Sequence, residues 1–506
     1  MNSIMTCTAG KRKKPDCRVV ALMRTPLFSV AACLFLLLGA LGDMARAQPN
    51  DFQQVAGLID LRTTYSDGEL DLESLVLLAK ERGFQVVIVS DHDRVAMEYG
   101  LFPLRNLIKK KVEQPSVNQA GAKKFLAAIQ AVNQKYPDML VIPGVESSPF
   151  YYWTGNPFTD GLTAHDWERH LLVIGLASAQ DYETLPLLHN EKSGRRPVNG
   201  LPVFLLFLVV TGLGILILFW RGPFRPAGVL FIILGLLFAF DSAPFWNSPF
   251  DPYHGPQDAA PYQMLIDDVN AKGGLTFWNH PETLSGVSAK PPIRVETRPY
   301  PEMLLQTDSY TGFATVYGDI ITVTEPGNLW DRILLEYCQG FRANPIWGIA
   351  TADYHSEKIS PPLGAFPTVF LVQDISQPAI LNAMKKGRMY AVQGAYTSQG
   401  ILDYFEVMDP ATQTTGISGD EIEAKGPAVV RLATRARDGK NHKVTVRIIR
   451  GGELVQQSEE TTPFSLEYQD NYFTEGEKTF FRIDIRGGIG SIVANPIFVQ
   501  YTSQPL

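Results

Sequence analysis

Gln85-Val86-Val87-Ile88-Val89-Ser90-Asp91-His92-Asp93 begins as an unbroken apolar run and closes on two carboxylates flanking an imidazole. Consecutive apolar residues belong in a parallel sheet covered on both faces, since a strand with one wet face alternates. Just before this run, Leu72, Leu75, Val76, Leu78 and Ala79 fall at helical spacing, which predicts a helix over Asp71–Arg82 ending at Gly83. The same alternation continues outward. Strands are predicted at Met139–Ile142, Leu171–Leu176, Gly274–Trp278 and Ile346–Ala350, and helices at Lys123–Gln134, Tyr262–Lys272, Leu329–Gln339 and Gln377–Lys386. This rhythm predicts a (β/α) barrel or a related α/β layer fold over residues 48–400. Leu304–Thr324 shows no period that assigns it. After residue 400, short alternating strands at Val429–Thr434, Lys443–Arg450, Phe464–Tyr468 and Thr479–Ile485 predict a β-sandwich over 401–506.

The 506 residues, 45% hydrophobic and 19% charged, describe a folded chain of more than one domain. A net charge of -7, with basic runs confined to the N-terminus, argues against a nucleic-acid partner. Three of the four cysteines (Cys7, Cys17, Cys33) precede residue 48, so neither a disulfide framework nor a cysteine-rich zinc site is available. Cys338 reads as a helix core residue.

Residues 1–47 have the form of a signal peptide. Lys11, Arg12, Lys13 and Lys14 precede the apolar run Phe28–Leu41, and Ala45-Arg46-Ala47 offers a cleavage site, with Met23 as an alternative start. Two further apolar stretches, Leu201–Trp220 and Ala227–Phe240, flank the basic turn Arg221–Pro226. They predict a transmembrane helical hairpin over residues 200–246, inserted in the barrel region. With the Arg-bearing turn inside, the flanking regions lie outside the inner membrane, facing the periplasm. A buried apolar helix pair is the alternative reading.

Chemistry gathers where apolar runs end. Asp91-His92-Asp93, Glu146, His280-Pro281-Glu282 and Asp353-Tyr354-His355 each follow a predicted strand, and His170 opens one. Each alone is also the pattern of a capped turn or a core histidine. Together they point to a shared site, because barrel strands deliver their C-terminal ends to one face. Imidazoles with carboxylates suit Zn, Mn or Fe better than Ca or Mg. His165 and His254 are possible proton donors but read more simply as surface residues.

Gly57-Leu58-Ile59-Asp60-Leu61-Arg62-Thr63-Thr64-Tyr65-Ser66-Asp67-Gly68 resembles the opening motif of PHP (polymerase and histidinol phosphatase) metallohydrolases, His-x-His-Thr-x-x-Ser-Asp-Gly. The order Ser90-Asp91-His92-Asp93, Gly144-Val145-Glu146, His170, Asn279-His280-Pro281-Glu282 and Ala352-Asp353-Tyr354-His355 is similar to that family over about 300 residues. The exported layout with a trailing β-domain resembles its carbaryl-hydrolase-like branch. The resemblance implies a distorted (β/α) barrel with Glu146, His170 and His280 on one metal, and Asp67, His92 and His355 on a second. A third site would use the two opening histidines with Glu146 and Asp353, but here those positions hold Asp60 and Arg62. Asp60 can ligate; a permanently protonated guanidinium cannot. Arg62 is therefore expected to replace one metal's charge, pairing with Asp60 and Asp353 or gripping a substrate oxyanion, and two divalent transition metals are expected.

The implied activity is hydrolysis of a small-molecule phosphoester, with Arg62, Asp91 and Asp353 as the catalytic set and Asp91 and Asp93 orienting ligands. Carboxylester or carbamate hydrolysis, and a non-catalytic binding or scaffold protein on a degraded barrel, are the alternatives. The β-domain's partner is not legible.

Overall fold

The computed structural model describes residues 52–159, 161–193, 200–220, 222–244, 249–284, 287–290, 293–319 and 321–502. The signal segment expected over 1–47 lies outside them, as does Arg221 of the basic turn.

Strands β1 (Gln53–Leu61), β2 (Val86–His92), β3 (Leu140–Ser147), β4 (Leu171–Ile174), β5 (Leu275–Trp278), β6 (Gly312–Val316) and β7 (Trp347–Ala350) lie side by side in that order. The backbone after β7 then returns to β1. Ala352 N donates to Ile59 O (3.1 Å), Tyr354 N to Asp60 O (3.0 Å) and Arg62 N to Tyr354 O (2.9 Å). Among the described residues these seven strands close a barrel. Only β4 runs against its neighbours. Val86, Val87, Ile88 and Val89 are fully buried, as their unbroken apolar run requires. Each such side chain contributes about 1.5–3 kcal/mol on leaving water.

Helices α1 (Leu72–Glu81), α2 (Ala122–Lys135), α3 (Leu201–Phe219), α4 (Arg225–Asp241), α5 (Ala260–Ala271), α6 (Leu329–Cys338) and α7 (Gln377–Lys386) carry the remaining apolar faces. Asp71 caps α1 by accepting from Ser74 N at 2.9 Å, and Gly83 turns the chain at a φ of 78°. The unassigned stretch Leu304–Thr324 supplies β6, all five of its residues buried. Its Gly-Phe-Ala-Thr-Val composition is too short and too mixed to show a period.

The strands after residue 400 are continuous with the barrel. β8 (Pro367–Val372) pairs with β1, β9 (Met389–Gln393) with β8, and Gly490–Ala494 with β9. Lys478–Gly487, Lys443–Arg450 and Glu453–Thr461 extend the same sheet. A second antiparallel sheet of Thr414–Ile417, Gly400–Asp409, Val429–Ala436 and Phe464–Gln469 packs on it through Val407, Leu432, Val446 and Ile483. At the seam, fully buried Arg482 reaches α6: its Nε lies 2.6 Å and its Nη2 2.7 Å from the two oxygens of Asp331.

Two smaller pieces stand over the barrel mouth. One is a hairpin of Val95–Gly100 and Lys109–Gln114. The other is a four-stranded sheet that pairs Tyr152–Asn156 and Gly161–His165 with Ile293–Glu296 and Val287–Lys290. Periodicity misses both, because their partners are short or far apart in sequence.

Helices α3 and α4 pack against each other as an antiparallel pair. Small residues line the contact. A Cβ on Gly214 would meet Gly228 O at 2.8 Å, and one on Gly235 would meet Thr211 Oγ1 at 2.3 Å. Leu206, Val209, Leu216 and Leu230 point outward and are more than half exposed. Among the described residues only α3 is long and apolar enough to cross a membrane; α4, at 17 residues, is shorter.

Replacing Arg482 with Ala leaves the Asp331 carboxylate buried without a counter-charge, Gly327 N being its remaining donor, so the chain is expected to lose about 3–5 kcal/mol of stability. Urea unfolding of the two proteins measures this, and a loss below about 1 kcal/mol would contradict the seam described here.

Candidate metal centre

Local backbone geometry places the first site residues. β1 slips register against β2 between Ile59 and Leu61, and Asp60 at the slip has a φ of 69°. His280 (φ 27°) and Asp353 (φ 40°) also occupy the left-handed region. Non-glycine residues reach that region at a cost, and such strain collects at functional sites. Asp60 and Arg62, two apart, both turn into the barrel and are buried.

The loop after β1 is held by Asp91. One carboxylate oxygen accepts from Thr63 N (2.7 Å), Ser66 N (3.1 Å) and Ser66 Oγ (2.7 Å), and the other accepts from Thr63 Oγ1 (2.8 Å). Gly68 closes the loop where a Cβ would meet Arg62 O at 2.4 Å. Asp91 is fully buried and does not line the cavity. All its acceptors serve the loop that presents Asp67.

Two donor clusters share Glu146. Its Oε1 lies 3.1 Å from His170 Nδ1 and 3.5 Å from His280 Nε2, with those two nitrogens 3.3 Å apart. Its Oε2 lies 3.2 Å from His92 Nδ1. The other nitrogen of His92 faces Asp67 Oδ2 at 3.5 Å, and His355 Nε2 faces the same oxygen at 3.2 Å. Donor atoms of His92, Glu146 and His170 all lie within 4.8 Å of one another, a spacing a single cation can span. Burial pushes the Asp67 carboxyl up, but hydrogen bonds from His355 and His92 more than offset it and hold it far below its ordinary range. Burial disfavours charge on His280, yet Glu146, Asp353 and Asp60 push its pKa up to about 9. Burial likewise opposes charge on His355, whose hydrogen bond with Asp67 and proximity to Asp353 push it up to about 9. The protein's own field thus favours positive charge at these nitrogens, and imidazoles and carboxylates are ligands a transition-metal ion accepts. The residues fit such an ion.

Arg62 fills the remaining position. Its Nη1 lies 2.6 Å from Asp60 Oδ1 and donates to Ser90 O; its Nη2 lies 2.5 Å from Glu146 Oε2 and 3.3 Å from Asp353 Oδ1. The pairing expected with Asp60 and Asp353 is present, and Glu146 joins it. Burial works against the Glu146 charge, but Arg62 and His170 hold its carboxyl well below the ordinary range.

Sequence reasoning did not assign roles to Asn279 or Tyr300. Asn279 Nδ2 donates to both Asp60 Oδ2 and Glu146 Oε1 at 2.7 Å. Tyr300 Oη donates to Asn279 O (2.6 Å), accepts from His170 N (3.3 Å) and lies 3.4 Å from His280 Nδ1. Adjacency to His280 was the available signal for Asn279; Tyr300 had none. Asp93 is buried against Ser147 Oγ and Arg94 N, and burial above all pushes its carboxyl up to about 7. Glu282 accepts from Thr322 N and Val323 N and pins that loop. His165 stacks on Tyr152 outside the cluster, and exposed His254 pairs with Asp251.

The cluster forms the floor of a cavity of about 930 Å³. Arg62, Asp67, His92, His280, Asp353 and His355 lie at its base, and apolar residues of the hairpin and the small sheet form its walls.

No protein-family model matches the chain. No curated protein matches it. Among solved structures it is similar to a two-domain protein from Bacteroides vulgatus containing a predicted PHP-like metal-dependent phosphoesterase. That pair is 10% identical with a TM-score of 0.36, over 89% of this chain and 96% of the other. It is also similar to a Bifidobacterium adolescentis protein inferred to be a metal-dependent phosphoesterase, 14% identical with a TM-score of 0.24, over 60% of this chain and 90% of that one. Likenesses this distant carry no weight about function.

Asp91→Ala strips four hydrogen bonds from the Thr63–Ser66 turn, and the expected cost is roughly 2–4 kcal/mol. Denaturant unfolding checks it; a change under about 0.5 kcal/mol would show that Asp91 does not hold the loop.

Proposed function

We propose that this chain is a metal-dependent hydrolase of the PHP type, acting on phosphoesters. The observation that carries this reading is the convergence of Glu146, His170, His280, Asp67, His92 and His355 on one cavity floor, with a buried arginine beside them. Glu146, His170 and His280 would hold one divalent ion, and Asp67, His92 and His355 a second, with Zn, Mn or Fe suited to these ligands. Such ions supply Lewis acidity and lower the pKa of water.

The protein's own residues do the rest. Asp60 and Asn279 fix Arg62 and Glu146 in place, so neither has to reorganise as charge develops on a phosphoryl group. Arg62 puts a permanent positive charge where the PHP pattern has the second of its two opening histidines, and its guanidinium suits an oxyanion. Asp353, about half exposed on the cavity side, is the carboxylate placed to take up a proton. Tyr300 holds His170 and His280 through their backbone and ring contacts.

The proposal extends to location. A signal peptide over 1–47 would export the chain, and α3 with α4 would anchor it in the inner membrane with the barrel on the periplasmic side. The outward-facing leucines of that hairpin support this, since a patch of that size needs an apolar partner.

One contact favours a second reading, that of a binding protein on a retired barrel. Arg62 lies 2.5 Å from Glu146 Oε2 and competes with an ion for that ligand. Metal analysis and a substrate screen separate the two. Purified full-length chain is expected to hold two divalent ions and to cleave p-nitrophenyl phosphomonoester or phosphodiester probes. His280→Ala is expected to lower kcat/KM by about 100-fold or more. Zero ions with no turnover would overturn the hydrolase reading and leave a retired barrel, three ions would refute the arginine replacement, and cleavage of carboxylester or carbamate probes alone would change the bond class.

A further inference from the structure

The cavity is two-toned. Its floor is charged, whereas its upper wall is built from Met97, Leu101, Ile108, Trp153, Leu162 and Ile293. A small polar phosphoester has no use for that much apolar surface, which would stay wet around it.

The same wall is where the apolar hairpin joins the barrel. The C-terminal end of α4 docks on the tip of the Val95–Gln114 hairpin: Asp241 Oδ1 accepts from Asn106 N at 2.7 Å and Leu107 N at 3.1 Å. The chain leaving α4 continues into the wall itself. Tyr253 Oη accepts from Gly100 N at 2.6 Å, and Trp153 N donates to Pro252 O at 2.7 Å. Arg105 lies over the Tyr253 ring at 3.9 Å. The chain approaching α3 is tied there as well, by Leu188 N donating to Pro149 O at 2.9 Å. Described segments on both sides of the helix pair are therefore bonded to the cavity's aromatic wall. Phe158 lines the mouth and Phe102 follows the lining residue Leu101; each is about four-fifths exposed, and Ile108 is half exposed. Lys109 and Lys110 line the cavity edge beside them, Lys109 also pairing with Glu98 at 2.9 Å. Exposed aromatics with lysines describe a surface that meets an anionic lipid interface.

We propose that the substrate is a membrane lipid phosphoester whose headgroup phosphate reaches the Arg62 floor while its hydrocarbon occupies the apolar upper cavity. This rests on the hydrolase reading above and names its substrate class. In the reaction, a water oxygen forms a new bond to phosphorus, the ester bond from phosphorus to the lipid alcohol breaks, and the alcohol leaves with the proton.

The test uses the full-length chain in lipid nanodiscs, with empty discs as the partition control. Alkylphosphonates of increasing chain length are titrated by calorimetry, and release of inorganic phosphate is followed from butyl phosphate, octyl phosphate and disc-embedded phosphatidic acid. Full burial of a methylene tightens binding about fourfold, so Kd is expected to fall at least tenfold from butyl- to octylphosphonate. Met97→Gln with Leu162→Gln is expected to flatten that slope, and phosphatidic acid in the disc is expected to be cleaved. A Kd independent of chain length, a slope unchanged by the double variant, or cleavage of the soluble octyl ester but not the disc lipid would each overturn the proposal. If the double variant does not fold, the wild-type series alone decides. Butyl phosphate separates the two levels. Cleavage of it with a flat chain-length series defeats only the lipid assignment, whereas no cleavage of any ester defeats the hydrolase reading as well.

Discussion

A buried guanidinium among acids governs the rest of this structure. Arg62 contacts Asp60, Glu146 and Asp353 within 3.3 Å, and neither it nor the first two reaches solvent. Three charges removed from water stabilise a fold only when geometry and hydrogen bonds are complete; otherwise desolvation wins. The surroundings supply that completeness. The register slip turns Asp60 inward, Asn279 bridges Asp60 to Glu146, and the carbonyl of Ser90 takes a further donor from Arg62. Barrel closure belongs to the same arrangement, since Arg62 N and Asp60 O are the groups that bond the segment after β7. The site and the seam of the barrel are one construction.

Arg62 makes this position permanently positive, so the acids around it need no other partner. A guanidinium orients and neutralises but, unlike an ion, exchanges no ligands.

Much of the barrel was legible because its signals are local. Unbroken runs such as Val86–Val89 mark strands buried on both faces, and the spacing of Leu72, Leu75 and Val76 marks a helix with one wet side. The polar residues at strand ends could be gathered because a barrel brings strand ends together. Other features depend on pairing between distant segments and leave no local period. Ile293–Glu296 pairs in parallel with Leu162–His165, and β6 gains its strand form from neighbours on both sides. Asp91 shows a further limit. Nothing in Asp91-His92-Asp93 tells that both acids are buried away from the cavity and that Asp91 ties down a loop, because that depends on where Thr63, Ser66 and Ser147 arrive. The β-strands after residue 400 are recognisable one by one, but their continuity with the barrel sheet through β8 and β9 is a property of the assembled chain.

The central claim concerns the number and place of positive centres on the cavity floor. Crystals of the full chain, with diffraction recorded on both sides of the bound metal's absorption edge, locate those centres directly. The account predicts two anomalous peaks, one among Glu146, His170 and His280 and one among Asp67, His92 and His355, with none beside Arg62. A third peak between Asp60 and Asp353, with the guanidinium swung aside, would contradict it, as would a floor without any peak.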